Sequence, residues 1–279
     1  MSKRVALLSF FCFLVLVALA ACSPARNVPS DSAAVIPNSA YSVIPDSAYS
    51  VIPALVPGSD SSITDPRDGQ VYKMVTVGEQ IWMAKNLNYE MAGSQCYNKN
   101  ASNCMRYGRL YTWDAAMSAC PDGWHLPTYD ELVSLIDYAS GQFLAGGVLK
   151  SKENWNKCRH CDIANDMYGF SVLPAGVMNE DGAFDKMREY GFLWSATEAE
   201  SNQIPYMGFV NFSSVAMLLL GDKNKGLSVR CVRGESPKFG GTLKMNDLDR
   251  PGIEFYDLPL TANTPTLNDE ETKIWPDEI

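Results

Sequence analysis

Cysteine is the residue type whose chemistry is easiest to specify in this sequence. The chain has eight cysteines, of which Cys12 and Cys22 belong to its apolar start. The other six are Cys96, Cys104, Cys120, Cys158, Cys161 and Cys231. An even number of cysteines in an exported chain favours disulfides, although six cysteines can be paired in many ways. We therefore expect three structural disulfides and neither a metal ion nor a cofactor.

The closest cysteine pair, in Cys158-Arg159-His160-Cys161, has several chemical interpretations. A haem attachment site needs a histidine directly after the second cysteine, and Asp162 stands there. A zinc site needs two more ligands, and His125 is the only histidine outside this motif. A redox pair needs a helix start in a βαβ unit, and none is evident. A short structural disulfide is therefore favoured, with metal binding and redox chemistry as alternatives.

Other side chains that carry catalysis are scarce. The chain has two histidines, so there are few options for general-base catalysis, and no Ser-His-Asp set is evident. The run Asn179–Gly182 and the pair Asp222 and Asn224 offer oxygen ligands to calcium, but both are also typical of surface turns. We favour surface turns, and we expect the protein not to be an enzyme.

The start of the chain predicts export and lipid attachment. Lys3 and Arg4 precede an apolar run that ends in Leu19-Ala20-Ala21-Cys22, which resembles a bacterial lipobox. The resemblance implies a signal peptide over residues 1–21 and acyl chains such as palmitate on Cys22, which together give stable anchoring. An uncleaved membrane helix is the alternative. Ser23 after the cysteine favours the bacterial outer membrane or cell surface as the location.

The segments 22–64 and 235–279 flank a middle region of different composition. VIPNSAYS at 35–42 and VIPDSAYS at 43–50 form a repeat whose prolines favour an extended, semi-stiff tether. Residues 235–279 hold four Lys or Arg against ten Asp or Glu, a net charge of −6. We predict that this acidic, Pro-containing tail is poorly ordered, with Ile253–Tyr256 as an apolar piece able to dock.

The middle region, residues 65–234, begins with a predicted β-hairpin. Gln70–Val77 alternates between apolar and polar residues, Gly78 and Glu79 supply a two-residue turn, and Gln80–Met83 returns as the second strand.

Two helices are predicted around a sharp corner. The first has apolar residues at helical spacing, namely Leu110, Trp113, Met117 and Cys120. A proline and a glycine then end it, and Trp124 and Leu126 point inward at the corner. The second helix begins at the N-cap Thr128, with Glu131 completing a capping box, and runs until Gly141.

The remainder of the middle region is strand-like. Five short segments are rich in aromatic or branched residues, namely Phe170–Leu173, Phe192–Thr197, Tyr206–Phe212, Ala216–Leu220 and Leu227–Arg233. In the last segment, Leu227, Val229 and Cys231 share one face. These elements predict an α+β domain with two short helices packed on mainly antiparallel sheets.

Five ordered blocks of the middle region resemble a known family, the Fibrobacter succinogenes major paralogous domain (FISUMP). The blocks are DPRDGQVYKMVTVGEQIWMAKNLNY, YGRLYTWDAAMSACPDGWHLPTYDEL, YGFSVLPAG, FLWSATE and GLSVRCVR. The resemblance covers residues 65–234 and implies a C-type lectin-like fold, with a more distant likeness to formylglycine-generating enzymes. It also implies a Cys120–Cys231 disulfide. For the other cysteines we propose the pairs Cys96–Cys104 and Cys158–Cys161.

A non-catalytic binding module is the function class that this organisation favours. A lipid anchor, a tether and a disulfide-stabilised domain display loops outside the cytoplasm, and loops on a rigid scaffold are where recognition residues usually lie. The expected partners are the membrane, through the anchor, and a glycan or an envelope protein. The candidate ligand-binding residues are Trp155, Asn165, Asp166, Tyr168, Tyr190, Glu198 and Tyr206.

Two other function classes stay open, and a third is excluded. A structural envelope protein that assembles through its domain or acidic tail is the first alternative. An enzyme related to formylglycine-generating enzymes is the second, although those enzymes need two reactive cysteines late in the domain and only Cys231 lies there. Nucleic-acid binding is excluded because the net charge is −9 and no basic patch is left to neutralise phosphates.

Overall fold

The structure, a computed structural model, describes residues 61–157, 164–200 and 202–235 together with Lys244 and Glu254. The predicted signal peptide, Cys22 with its predicted lipidation, most of the predicted tether and of the acidic tail, and both Cys158 and Cys161 lie outside the described residues. Across the described ranges, no single helix is long and apolar enough to cross a membrane. Two consecutive helices, Tyr129–Tyr138 and Gln142–Leu149, reach that length and apolar composition only when they are counted together, and the angle between them is 83°.

The described residues form short strands and four α-helices, which confirms a mixed α+β fold. The strands are β1 Ser62–Thr64, β2 Val71–Val77, β3 Gln80–Met83, β4 Ser94–Gln95, β5 Leu110–Tyr111, β6 Trp124–His125, β7 Val177–Met178, β8 Phe184–Asp185, β9 Tyr190–Trp194, β10 Ile204–Val210, β11 Met217–Gly221, β12 Leu227–Ser228 and β13 Val232–Arg233. The helices are α1 Ala101–Tyr107, α2 Trp113–Ala116, α3 Tyr129–Tyr138 and α4 Gln142–Leu149. The prediction of two helices is therefore wrong in number.

The strands form two larger sheets and one small hairpin. The five-stranded sheet has the order β1-β2-β3-β13-β6, the six-stranded sheet has the order β11-β10-β9-β12-β5-β4, and β7 pairs with β8. Among the strand pairs of the described chain, β9 with β12 is parallel and the others are antiparallel. Mainly antiparallel sheets are thus confirmed.

Alternate residues of the central strands enter two separate cores. Phe192, Trp194 and Tyr206 lie in one apolar cluster, whereas Leu193 and Met207 lie in another that also contains the buried faces of α3 and α4. Successive side chains of a strand point to opposite faces of a sheet. The six-stranded sheet is therefore covered on both faces, and every residue of β10 is buried.

The first predicted hairpin is confirmed, since β2 and β3 pair with Val77 opposite Gln80 and Met74 opposite Met83. Gly78 at the turn has a φ of 63°, which a residue without Cβ adopts at no steric cost. The sheet begins slightly before Asp65, because β1 pairs with β2 through Ser62–Thr64.

The first predicted helix is wrong over most of its length. Leu110 and Tyr111 form β5, which pairs with β4 and β12, and α2 is a single turn. The Trp113 indole N–H donates to the Ser195 carbonyl oxygen at 2.8 Å, whereas Met117 is 44% exposed. Pairing within the sheet therefore overrides the helical spacing, as tertiary contacts commonly do.

The second predicted helix is confirmed at its start. Thr128 accepts a hydrogen bond from the Glu131 N–H, and the Glu131 carboxylate accepts one from the Thr128 N–H, which completes the capping box. The helix ends at Tyr138, and Gly141 is instead the N-cap of α4. Trp124 and Leu126 at the corner are buried, as predicted.

The downstream strands are confirmed in part. Phe170–Leu173 is not a strand; its Val172 makes only an isolated bridge to Lys150, and Ser171 has a φ of 53° that interrupts extended geometry. The predicted strand Leu227–Arg233 divides between β12 in one sheet and β13 in the other. Leu227, Val229 and Cys231 are nevertheless all fully buried in one cluster.

Two disulfides lie within the described residues, and both are pairs proposed from the sequence. One joins Cys96 to Cys104, and the other joins Cys120 to Cys231 across 111 residues of sequence. In the chain-entropy model, a bond closing so long a loop stabilises the fold by about 4–5 kcal/mol.

Arg230, next to Cys231, is a fully buried cation that bonds to oxygens of two segments, 83–86 and 170–171. Its guanidinium donates to the Asn86 side-chain oxygen at 2.7 Å, to the Met83 carbonyl at 3.2 Å, and to the carbonyl oxygens of Phe170 and Ser171. It also lies 4.7 Å from the centre of the Phe170 ring. Burial lowers the pKa of Arg230 to about 9, against the opposing effect of the Asp166 charge.

Replacing Arg230 with methionine removes these donors and leaves buried oxygens without partners. We expect the free energy of unfolding to fall by about 3–5 kcal/mol, as when one member of a buried charged network is deleted. Urea denaturation followed by tryptophan fluorescence measures the change. Arg233→Met, at an exposed site in β13, is the matched control, for which we expect a change within about 0.5 kcal/mol. Equal losses in the two variants would contradict the assigned role.

Candidate functional site

A cleft of about 350 Å³ opens between the start of β2 and helix α1, and we call it the β2–α1 cleft. Its lining residues come from the segments 68–70 and 88–90, from the disulfide and α1, and from Arg109. They are Asp68, Gln70, Asn88, Tyr89, Glu90, Cys96, Ala101, Cys104, Met105 and Arg109. The hairpin β2–β3 brings the first two segments together, because its two outer ends meet.

A chain of amides on one wall of the cleft has a fixed direction. The Asp68 carboxylate accepts from the Gln70 side-chain NH₂ at 2.5 Å, and the Gln70 side-chain oxygen accepts from the Asn88 NH₂ at 2.8 Å. A carboxylate only accepts, so it sets the orientation of both amides. The Asn88 side-chain oxygen is left buried and without a hydrogen-bond partner in the described part of the chain.

Arg109 supplies a hydrogen-bond donor to the cleft, which complements the Asn88 acceptor. Its Nη2 pairs with Glu90 at 2.6 Å, and its side chain is 12% exposed, whereas that of Glu90 is 82% exposed. An ion pair with so exposed a partner contributes little to stability. The Arg109 Nε is buried and also has no partner within the described residues. The cleft therefore contains one buried acceptor and one buried donor that the protein does not satisfy.

Tyr89 is the aromatic residue of the cleft lining, and Arg67 fixes its position. The Arg67 guanidinium lies 3.8 Å from the centre of the Tyr89 ring and pairs with the buried Asp65 at 2.7 Å. Desolvation alone would raise the pKa of Asp65, but the hydrogen bonds and charge of Arg67 lower it. Asp65 therefore stays ionised and keeps Arg67 in place over the ring.

The opposite wall is α1, which the Cys96–Cys104 disulfide ties to the segment before it. The Asn100 side chain caps this helix by accepting from the Ser102 N–H. Met105 on the same wall is 70% exposed. The wall is short, but the disulfide joins its backbone covalently to the segment before it.

The structure does not gather the seven predicted ligand-binding residues into one site. Tyr206 is buried in the core, where its ring packs edge-to-face on Phe192 and Trp194. Tyr190 packs against that same core, whereas Trp155 and Tyr168 pack against the core on the other face of the sheet. The set is therefore split between the two faces of one sheet.

The polar members of that set have local contacts. The Asn165 side chain accepts from the Met167 N–H, and Asp166 accepts from the N–H and hydroxyl of Ser171. Glu198 is partly buried in the segment after β9. Trp155 covers the buried ammonium of Lys150 at 5.1 Å from its ring centre, and burial lowers the pKa of this lysine to about 8. The roles of the seven predicted residues in ligand binding remain predictions.

The two runs considered as calcium ligands are turns. Asn179–Gly182 connects β7 to β8 with a backbone bond from Gly182 to Asn179, and Asp222 accepts from the Asn224 N–H. Within the ranges that the structure describes, no group of three or more His, Cys, Asp or Glu residues is placed to hold a metal ion.

His125 lies within hydrogen-bonding distance of Glu131 and of the Gly234 backbone. Its Nε2 lies 2.9 Å from a Glu131 carboxylate oxygen, and its Nδ1 lies 3.0 Å from the Gly234 carbonyl oxygen. Both partners are acceptors, so the two bonds form together only when both ring nitrogens carry protons, that is, in the imidazolium form. Desolvation lowers the pKa of His125, but the bonds to Glu131 and Gly234 outweigh it and raise the pKa. Desolvation likewise would raise the pKa of Glu131, which the bonds from His125 and Thr128 lower.

The His125–Glu131 pair predicts a pH-dependent contribution to stability. The contribution of His125 is complete below its ordinary pKa of 6.5 and is lost as pH rises through its raised value. That of Glu131 is complete above 4.5 and is lost as pH falls through its lowered value. The difference in unfolding free energy between the parent and His125→Gln should therefore be largest between these pH values, at about 1.5–3 kcal/mol. Urea denaturation across pH 4–9 measures it, and a difference that is constant with pH would contradict the pairing.

Comparison with known families agrees with the resemblance noted in the sequence. The model of the Fibrobacter succinogenes major domain (Fib_succ_major) matches residues 75–233, which is more than half of the chain and includes Asn88, Tyr89, Glu90 and Arg109. No curated protein and no solved structure matches the chain. The chain therefore belongs to the Fibrobacter succinogenes major domain family.

Proposed function

We propose that this protein is a lipid-anchored, non-catalytic binding module and that its β2–α1 cleft binds a glycan. The observation that carries the proposal is the pair of unsatisfied buried groups in the cleft, the Asn88 side-chain oxygen and the Arg109 Nε. Burying such groups without partners costs free energy. A ligand that offers a donor to the first and an acceptor to the second removes that cost.

A hydroxyl group fits this requirement because it donates one hydrogen bond and accepts others. Neighbouring hydroxyls of a sugar ring present several such groups at fixed spacing. One hydroxyl donates to Asn88 while another accepts from Arg109. The Asp68 carboxylate sets the direction of the amide chain and so fixes the orientation of the Asn88 amide. Because the Asn88 oxygen and the Arg109 Nε are buried, side chains of the lining shift when a ligand reaches these two atoms.

The charges and size of the cleft narrow the ligand class. Asp68 and Glu90 bring two carboxylates against the single guanidinium of Arg109, so a phosphorylated or acidic sugar meets repulsion. A neutral glycan meets none. A volume of about 350 Å³ is near the small end of ligand pockets, which suits one or two sugar units of a longer chain.

The rest of the proposed function follows from the sequence. The lipobox-like tetrad that ends at Cys22 supports attachment to the bacterial outer membrane or cell surface, and the repeat-containing tether supports display at a distance from it. A C-type lectin-like fold is the finer assignment that we propose for the α+β domain. Recognition of an envelope protein by the same domain is the second candidate ligand class.

Glycan arrays with the full chain test the proposal. We expect saturable binding of a neutral glycan, and an affinity about tenfold lower in Arg109→Lys, which keeps the charge but cannot present Nε. Asn88→Asp, which keeps an acceptor but cannot donate to Gln70, should also weaken binding by about tenfold. Titration calorimetry with the strongest glycan measures both. Asn224→Ala, in an exposed turn far along the chain, is the control.

The outcomes separate the candidates. Glycan binding that neither cleft variant changes would place the site elsewhere. No binding across the array, together with a co-purifying envelope protein, would support the second ligand class. Turnover of a bound glycan would contradict the non-catalytic assignment.

A further inference from the structure

Gln142, the first residue of α4, pairs with the backbone of the C-terminal tail. Its side-chain NH₂ donates to the Glu254 carbonyl oxygen at 2.7 Å, and its side-chain oxygen accepts from the Glu254 N–H at 2.7 Å. The side-chain amide of Gln142 therefore binds both the N–H and the carbonyl oxygen of Glu254. Residues in a hydrogen-bonded antiparallel pair exchange the same two bonds, so Gln142 acts as a strand neighbour for a single tail residue.

The contact is independent of the side chain of Glu254. No hydrogen bond to its carboxylate occurs within this pairing, and Glu254 is exposed. Recognition through N–H and C=O alone selects a backbone shape rather than a sequence.

Gln142 is itself held rigidly. Its carbonyl oxygen accepts from the Ala216 N–H at 2.8 Å, and the Gly147 N–H donates to the Ser214 carbonyl oxygen at 3.1 Å. A Cβ on Gly146 would lie 2.6 Å from the carbonyl oxygens of Ser214 and Val215, so only glycine permits this close approach. Gln142 is 2% exposed, and Glu254 satisfies both polar ends of its side-chain amide.

We propose that Gln142 is a receptor for a peptide backbone and that it latches the chain's own tail, through the N–H and carbonyl oxygen of Glu254, to the N-terminal end of α4. A buried side-chain amide without partners is costly, and Glu254 supplies both partners. Glu254 belongs to the acidic segment 235–279, whose net charge is −6. This inference does not depend on glycan binding in the cleft.

Hydrogen exchange on the full chain in detergent tests the latch. The Glu254 N–H should exchange about tenfold more slowly than in Gln142→Met, which matches the side chain in length but forms neither bond. Glu254→Ala should leave the protection of the amide at position 254 unchanged, because only backbone groups are bound. Gln95→Met, in β4, is the control for glutamine replacement.

Three results would overturn the proposal. The first is equal exchange of the Glu254 N–H in the parent and in Gln142→Met. The second is loss of protection of the amide at position 254 in Glu254→Ala, which would assign recognition to the side chain. The third is protection that rises with protein concentration, which would show that the tail binds a second copy rather than its own domain.

Discussion

The buried guanidinium of Arg230 is the interaction on which the rest of the described fold depends. It lies between β12 and β13, where the chain leaves the six-stranded sheet and enters the five-stranded sheet. A cation is costly to bury unless its donors are satisfied, and here oxygens from two separate segments, 83–86 and 170–171, accept them. The crossing between the sheets is therefore fixed by one side chain and by the adjacent Cys120–Cys231 disulfide.

The same network reaches the β2–α1 cleft through Asn86. While its side-chain oxygen accepts from Arg230, its NH₂ donates to the Tyr107 carbonyl oxygen at 2.9 Å and to the Ser228 hydroxyl at 3.2 Å. Tyr107 is the last residue of α1, and Asn86 precedes the segment that carries Asn88 and Tyr89. Both walls of the cleft are thus attached to one buried amide. The core and the candidate site share a single polar network rather than being merely adjacent.

Sequence patterns predicted the elements whose signals are local. The hairpin at Gly78 and the capping box from Thr128 to Glu131 each depend on a few neighbouring residues, and both were right. Leu110 was misassigned to a helix because its strand partners, β4 and β12, come from distant parts of the chain. Phe170–Leu173 was misassigned because Ser171 bonds to Asp166, a contact that hydrophobic periodicity does not reveal. The cleft was not predicted because its lining comes from segments that are distant in sequence. Segments 68–70 and 88–90 meet only when the hairpin closes, and Arg109 joins them after α1.

The edge position of β1 has a mechanical consequence. Any pulling force carried by the residues before Ser61 enters the domain through Ser62–Thr64, three residues paired on one side to β2. Three residue pairs along one side offer few bonds to oppose such a force. The next contact along the chain is Arg67, which is anchored by Asp65 and donates to the Ala119 carbonyl oxygen at 2.8 Å, beside the disulfide-bonded Cys120. Tension therefore meets the short edge strand first, and after it a residue bonded to the end of the covalently closed loop 120–231.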